Sequence, residues 1–109
     1  MVTRSEARRL DRVFGALADP TRRAIVARLA ERGPASVGGL ARPFRMSRPA
    51  ISKHLRVLER AGIVRRTREG RISRCRYQGL RLREAADWIA THRALWQGQL
   101  DRFAEYLEG

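Results

Sequence analysis

The sequence of 109 residues predicts a mainly α-helical fold with one small β-hairpin. Four segments before residue 62 repeat apolar side chains at the spacing of an α-helix. Two strand-like segments then flank a turn that contains glycine, and the helical spacing returns from Leu80 to Leu107. The predicted order is therefore four helices, a hairpin and a long fifth helix, in a single domain that covers residues 1–109.

The first two predicted helices meet at Asp19-Pro20. The first helix is amphipathic, and its apolar residues are Leu10, Val13, Phe14 and Leu17. A second helix begins at this dipeptide, because aspartate caps exposed N–H groups and proline suits the first helical position. Its buried stripe consists of Ile25, Val26 and Leu29. We expect it to end at Gly33-Pro34.

Serine residues mark the starts of the third and fourth helices. Ser36 caps a short third helix with the apolar face Val37, Leu40, Ala41 and Phe44. Gly38-Gly39 weakens this helix, so tertiary packing must hold it. Ser47 caps the fourth helix, which spans about residues 47–61 and ends at Gly62. Its buried face consists of Ile51, Leu55 and Leu58.

The hairpin and the last helix complete the order of elements. The hairpin spans about residues 63–78, with Gly70 in its turn, and the last helix spans about residues 80–107. One apolar row of that helix is Leu82, Ala86, Ile89, Trp96, Leu100, Phe103 and Leu107. A second row is Ala85, Trp88, His92 and Leu95. A small domain does not easily cover both rows, so we expect intrachain packing together with a dimer contact. The alternative is a monomer in which one face packs on the first helix.

The net charge of +13 indicates a polyanionic partner. Arginine supplies 23 of the 24 basic residues, which a codon bias could explain, but such a bias does not explain the excess over 11 acids. Residues 42–83 hold thirteen arginines and one lysine against Glu59 and Glu69, a net charge of +12. Residues 84–109 carry a net charge of −3. The middle segment is therefore the predicted phosphate-binding region.

This order of elements and this charge predict a winged helix-turn-helix that reads DNA, with the fourth helix in the major groove. Arg48 is the candidate for a bidentate contact to guanine, and Ser52 can donate to or accept from a base. The predicted DNA-binding residues of this helix are Ser47, Arg48, Pro49, Ser52, Lys53, His54 and Arg56. Ser47, Lys53 and Arg56 are the candidates for phosphate contacts. His54 has two interpretations, base contact or packing at the helix edge.

The hairpin is the predicted wing. Its candidate DNA contacts are Arg66, Arg68, Arg71 and Arg74. These side chains would meet phosphates or a minor groove beside the recognition helix. The alternative is a solvated hairpin whose charge prevents edge-to-edge pairing.

Three segments resemble the ArsR/SmtB family of bacterial winged-helix repressors. They are LADPTRR (17–23), SRPAISKHL (47–55) and LERAGIV (58–64). The tail, from Trp88-Ile89 to LDRF (100–103), is similar to a metal-independent branch of that family. The resemblance implies homodimers, an operator near the regulator's own promoter, and repression released by a signal. It also implies dimer contacts on the first and last helices, at Leu10, Val13, Phe14, Trp88, Ile89, His92, Trp96, Leu100, Phe103 and Leu107.

The sequence has few residues that could sense a metal ion or an oxidant. The third helix has no cysteine, and Asp87, His92, Asp101 and Glu105 do not follow the metal-ligand spacing of family sensors. We therefore predict no metal and no cofactor. Cys75, the one cysteine, is either an oxidant-sensing thiol or an apolar filler. No catalytic constellation is present, so an enzyme is not predicted.

The predicted function is sequence-specific binding of double-stranded operator DNA by a homodimeric, autoregulatory repressor, with a palindromic operator. The alternatives are a metal- or redox-responsive repressor of the same fold, a non-specific nucleic-acid-binding architectural protein, and a winged helix that binds protein. No apolar run reaches the length of a membrane span, and the first six residues show no secretory signal. A cytoplasmic protein is expected, and the sequence does not identify a small-molecule effector.

Overall fold

The structure, a computed structural model, describes residues 3–108 and contains five helices and three short strands in that range. The helices are α1 (Arg4–Leu17), α2 (Pro20–Arg32), α3 (Val37–Phe44), α4 (Arg48–Arg60) and α5 (Leu80–Glu108). The strands are β1 (Ala35–Ser36), β2 (Val64–Glu69) and β3 (Ile72–Tyr77). The predicted winged helix-turn-helix, mainly helical with a hairpin before the long last helix, is confirmed. The structure adds β1, which the sequence does not predict.

Side chains at the predicted caps hold the starts of three helices. The Asp19 carboxylate accepts a hydrogen bond from the backbone N–H of Arg22 at 3.0 Å and begins α2. Ser36 Oγ accepts from Gly39 N at 3.0 Å, and Ser47 Oγ accepts from Ala50 N at 3.3 Å. Each bond satisfies an N–H that the first helical turn leaves without a partner.

The sheet has the order β1-β3-β2, and its strand pairs are antiparallel. Glu69 pairs with Ile72 across the two-residue turn Gly70-Arg71. Gly70 has a φ of 64°, which a hairpin turn with glycine at its first central position accepts without steric cost. Ala35 of β1 pairs with Cys75 of β3, so the chain segment before α3 is fixed to the wing.

One core joins the helices to the base of the sheet. The largest fully buried side chains are Val13, Ile25, Leu29, Leu40, Ile51, Leu55, Leu58, Ile63 and Cys75. The predicted buried faces of α2 and α4 are present in this core. The predicted dimer contact of Val13 needs correction, because this side chain is only 1% exposed in its own chain. Val13 and Ala16 face inward one turn apart, which turns the neighbouring Phe14 outward.

Helix α5 extends well beyond the core. It has 29 residues, and Ala85 is its one buried residue within the described range. Its large apolar side chains from Leu95 onward are about half exposed or more. The Cα trace is therefore elongated, with extents of 66 × 31 × 21 Å. Across residues 3–108, no helix combines the length and apolar character needed to cross a membrane.

Candidate nucleic-acid interface

Helix α4 has a fully buried face and an exposed polar face. Ile51, Leu55 and Leu58 have no exposed surface, because they seat the helix on the core. The residues left exposed on its first turns are Ser47, Arg48, Pro49, Lys53 and Arg56. Ser52 is half-buried beside them. The structure thus leaves six of the seven predicted α4 residues available to a partner on one side of the protein.

A basic cleft lies between the starts of α3 and α4 and the wing, the β2–β3 hairpin. Its volume is about 480 Å³, and its lining residues are Ser36, Val37, Gly38, Arg48, Ser52, Arg66, Arg71, Ile72 and Ser73. Three of these side chains are arginines and none is a carboxylate. A concave surface with this lining attracts phosphate, because fixed positive charges of the same sign add there.

The four predicted wing arginines do not act as one group. Side chains alternate along a strand, so Arg66 and Arg68 lie on the sheet face of Val64, and Arg74 lies on the opposite face. Arg66 Nε donates to Glu59 Oε1 at 2.6 Å. Arg74 Nε donates to Glu69 Oε2 at 3.1 Å, and Arg76 also binds this carboxylate. Two acids therefore neutralise part of the predicted positive surface.

Arg48 and Arg71 keep their full charge toward the cleft. Within residues 3–108, neither guanidinium forms an ion pair with a carboxylate. Arg71 stands at the exposed tip of the wing, and Arg48 stands at the first position of α4. Of the three arginines that line the cleft, these two have no carboxylate partner within residues 3–108, whereas Arg66 is paired with Glu59.

His54 faces the junction of α1 and α2. Arg22 Nη1 donates to His54 Nδ1 at 3.4 Å, while Arg22 Nε donates to the Ala16 carbonyl at 2.7 Å. The Asp19 carboxylate lies 3.9 Å from the same ring nitrogen, beyond hydrogen-bond distance. The geometry favours packing over base contact for His54. Arg22 thereby connects α4 to the end of α1, a role that the sequence does not predict.

Cys75 is fully buried in β3. Burial raises the pKa of its thiol, and the nearby Arg66 guanidinium lowers the pKa by less. A protonated, inaccessible thiol reacts poorly with oxidants, because the thiolate is the reactive form. Of the two interpretations of Cys75, the structure favours the apolar filler.

Among the residues from 3 to 108, no three His, Cys, Asp or Glu side chains are grouped to hold a metal ion.

The predicted dimer surface contains an aromatic cluster and an exposed apolar row. Trp88 stacks on His92 with ring centroids 4.0 Å apart, and its edge contacts Phe14 at 5.8 Å. His92 Nδ1 lies 2.8 Å from the Trp88 carbonyl and donates to it. The apolar stripe of α5, which is 43–68% exposed, consists of Ile89, Trp96, Leu100, Phe103 and Leu107. Leu10 is half-buried against the core.

Some cleft residues are absent from the predicted set. Ser36 and Gly38 line the cleft because β1 pairs with β3 and brings the start of α3 to the wing. Ser73 lines it from β3. A two-residue strand has no periodicity in sequence, so no local signal could have identified these residues.

Known proteins share this architecture. Residues 17–67 match the family described as a helix-turn-helix domain. A crystal structure of an ArsR family transcriptional regulator has 40% sequence identity and a TM-score of 0.78, over 89% of this chain and 97% of that chain. The chain belongs to the ArsR family of transcriptional regulators. The family resemblance read from its motifs is thus confirmed.

Two curated relatives of this ArsR-family chain are also transcriptional regulators. The transcriptional repressor SdpR of Bacillus subtilis (strain 168) is 32% identical over 80 residues, which are 73% of this chain and 88% of SdpR. The HTH-type transcriptional regulator Rv2034 of Mycobacterium tuberculosis is 61% identical over 54 residues. That match spans 50% of this chain and 50% of Rv2034, so the chain covers about half of this relative's length.

Proposed function

We propose that this ArsR-family chain is a homodimeric repressor that binds a palindromic operator. Helix α4 enters the major groove, and the wing runs beside the phosphate backbone. The observation that carries the proposal is the exposed polar first turn of α4 beside a cleft lined by three arginines and no carboxylate. A major groove admits one helix, and the N-terminal residues of that helix reach the base edges.

Two classes of DNA contact follow from the placement of the side chains. Arg48 and Ser52, next to each other in the cleft lining, are the proposed base contacts. Lys53 and Arg56 are exposed on α4 and are the proposed phosphate contacts, together with Arg71 of the wing. Arg66 and Arg74 contribute less, because Glu59 and Glu69 already pair with them.

The apolar stripe of α5 is the proposed centre of the dimer interface. Five large apolar side chains on one side of a projecting helix remain exposed in the single chain. Full burial of such a side chain is worth roughly 1.5–3 kcal/mol, and because 43–68% of each is still exposed, covering the stripe contributes about half of that per side chain. Phe14, 36% exposed at the edge of Trp88, extends the stripe onto α1. A two-fold dimer would present two copies of α4, which is why we propose a palindromic operator.

Repression is the proposed regulatory outcome. The relative SdpR is named a transcriptional repressor, and a dimer bound across a promoter excludes polymerase by occupancy. We place the operator upstream of the regulator's own gene. Release from the operator would then restore transcription.

A DNA-binding titration tests the proposal. The labelled upstream region and a scrambled duplex of equal length are titrated with wild-type protein at about 150 mM salt, where the screening length is about 8 Å. We expect at least 10³-fold tighter binding to the upstream region. Equal affinities would instead indicate the non-specific architectural function that a net charge of +13 also permits.

A further inference from the structure

Gly38, in the first turn of α3, lies directly against the guanidinium of Arg48. A Cβ atom at position 38 would lie 2.9 Å from Arg48 Nη2, 3.2 Å from Nε and 3.3 Å from Cζ. These are its three nearest neighbours outside the local backbone. The Arg48 guanidinium therefore occupies space that any other residue at position 38 would fill.

The backbone of α3 gives no reason for glycine at this position. Gly33, Gly62 and Gly70 have positive φ angles, which other residues rarely adopt, whereas Gly38 has an ordinary helical backbone. Glycine weakens a helix relative to alanine, so α3 by itself would be more stable with alanine here. The contact with the Arg48 guanidinium is therefore the reason for glycine that the structure offers at this position.

Arg48 lies at the cleft without an opposing charge. Arg48 forms no ion pair within residues 3–108, and Arg66 and Arg71 line the same cleft. No carboxylate therefore draws the guanidinium into place. The open space over Gly38 allows it to rest at the start of α4, near Ser52.

We propose that Gly38 is a positioning residue for sequence recognition. Its missing side chain admits the Arg48 guanidinium to the position from which Arg48 contacts a base pair. The inference rests on the proposed DNA-binding function. A methyl group at position 38 displaces the flexible end of Arg48 and leaves the backbone unchanged, so it acts on recognition and not on folding.

A double-mutant cycle tests this role. Wild type, Gly38→Ala, Arg48→Ala and the double variant are titrated against the operator and against operators carrying single base-pair changes. We expect Gly38→Ala to weaken operator binding on the order of 5-fold and to reduce discrimination at the base pair that Arg48 reads. In the Arg48→Ala background, we expect Gly38→Ala to have no further effect.

Gly15→Ala is the matched control. Gly15 also lies within a helix, and no atom stands within 4 Å of a Cβ added there. This variant should bind the operator as wild type does. Thermal melting of Gly38→Ala should give a Tm at or above that of wild type, because alanine favours the helix.

Arg48→Lys provides a second background for the same comparison. It keeps the positive charge and removes the planar guanidinium. It should lose base discrimination, and adding Gly38→Ala to it should change nothing. A folding defect caused by the alanine would lower binding in the Arg48→Lys background as well, whereas displacement of the guanidinium would lower binding only where Arg48 is present.

The outcomes separate this inference from the proposed function. Equal binding by Gly38→Ala and wild type would overturn the positioning role, as would an equal loss in the Arg48→Ala background. A wild-type protein with no preference for the operator over scrambled DNA would overturn the proposed function, and this inference with it.

Discussion

At the scale of the residue, the arginines of this protein differ by their partners. Glu59 pairs with Arg66, and Glu69 pairs with Arg74 and Arg76. Arg71, at the wing tip, has no such carboxylate within residues 3–108. A carboxylate beside an arginine offsets part of its positive charge, so the net contribution of that arginine to DNA affinity is smaller.

Arg71→Ala should weaken binding to all DNA sequences alike. Each phosphate contact that is lost lowers the slope of log K against log salt by about 0.9, because fewer counterions are released. Titrations of operator and scrambled DNA at several salt concentrations measure both effects. Arg74→Ala is the matched control on the same hairpin and should change the slope less. An unchanged slope for Arg71→Ala would contradict its placement on the phosphate backbone.

The Cys75 thiol should be unreactive in the folded protein. The side chain is fully buried, so a reagent cannot reach it, and burial raises its pKa, so little of the reactive thiolate is present. A thiol-reactive chromogenic disulfide at pH 8 should give little signal with native protein. The same reagent in denaturant should give one thiol per chain, since Cys75 is the one cysteine. Rapid stoichiometric reaction of the native protein would support the redox alternative instead.

At the scale of the element, α4 is held by its buried face and by the contact with the α1–α2 junction. Arg22 donates to the carbonyls of Ala16 and Gly15 at the end of α1 and to His54 of α4. Asp19 caps α2 beside them. The Ala16 carbonyl is one of those that the last turn of α1 leaves without a helical partner, so the Arg22 guanidinium satisfies it. The orientation of α4 thus depends on the start of α2.

The Asp19 cap should make stability depend on pH. The backbone N–H of Arg22 binds the carboxylate and holds its pKa below the ordinary value. Since the folded pKa is the lower one, the stabilisation is fully present above the unfolded pKa, about 3.9. It is lost as the pH falls through the folded pKa.

Asp19→Asn keeps a capping side chain but removes the titration. Urea unfolding at pH 7 and at about pH 3 should therefore show a smaller loss of unfolding free energy for this variant than for wild type. Asp11→Asn, on the exposed side of α1, is the control and should follow wild type. A loss in Asp19→Asn as large as in wild type would show that other carboxylates cause the acid sensitivity.

At the scale of the whole molecule, the shape is decided by α5. The helix is about 44 Å long at 1.5 Å per residue, and the core covers one part of it. Its apolar stripe continues past the domain, so an isolated chain would expose Trp96, Leu100 and Phe103 to water. A second copy that covers this stripe also sets the spacing between two copies of α4.

Leu100→Asp should separate the dimer. A charge in the centre of a buried apolar seam is left without a partner, and its desolvation costs several kcal/mol. Light scattering after size exclusion should give the monomer mass near 12.5 kDa, and operator affinity should fall sharply. Ala94→Asp adds the same charge on another side of α5 and should leave the dimer intact. If the Leu100→Asp protein remained dimeric, the dimer interface would not be centred on this stripe.

The order of elements and the helix caps follow from the sequence alone. Asp19, Ser36 and Ser47 act on N–H groups three residues away, and the buried face of α4 follows from a spacing of three and four residues. These features depend on residues three or four positions apart, so the sequence alone predicts them. The same local spacing could not show which side of α1 faces the core. Val13 was therefore predicted at the dimer surface, although it is buried.

Only the tertiary structure decided how the candidate DNA-binding surface is assembled. Arg66 meets Glu59 of another element, and His54 meets Arg22, which is 32 residues away in the chain. β1 brings Gly38 to the cleft, where Arg48 rests on it. The sequence gives every arginine the same formal charge and does not show which carboxylate will lie beside it. Folding makes them unequal, since each guanidinium interacts over a few ångströms with whatever distant residue the fold places beside it.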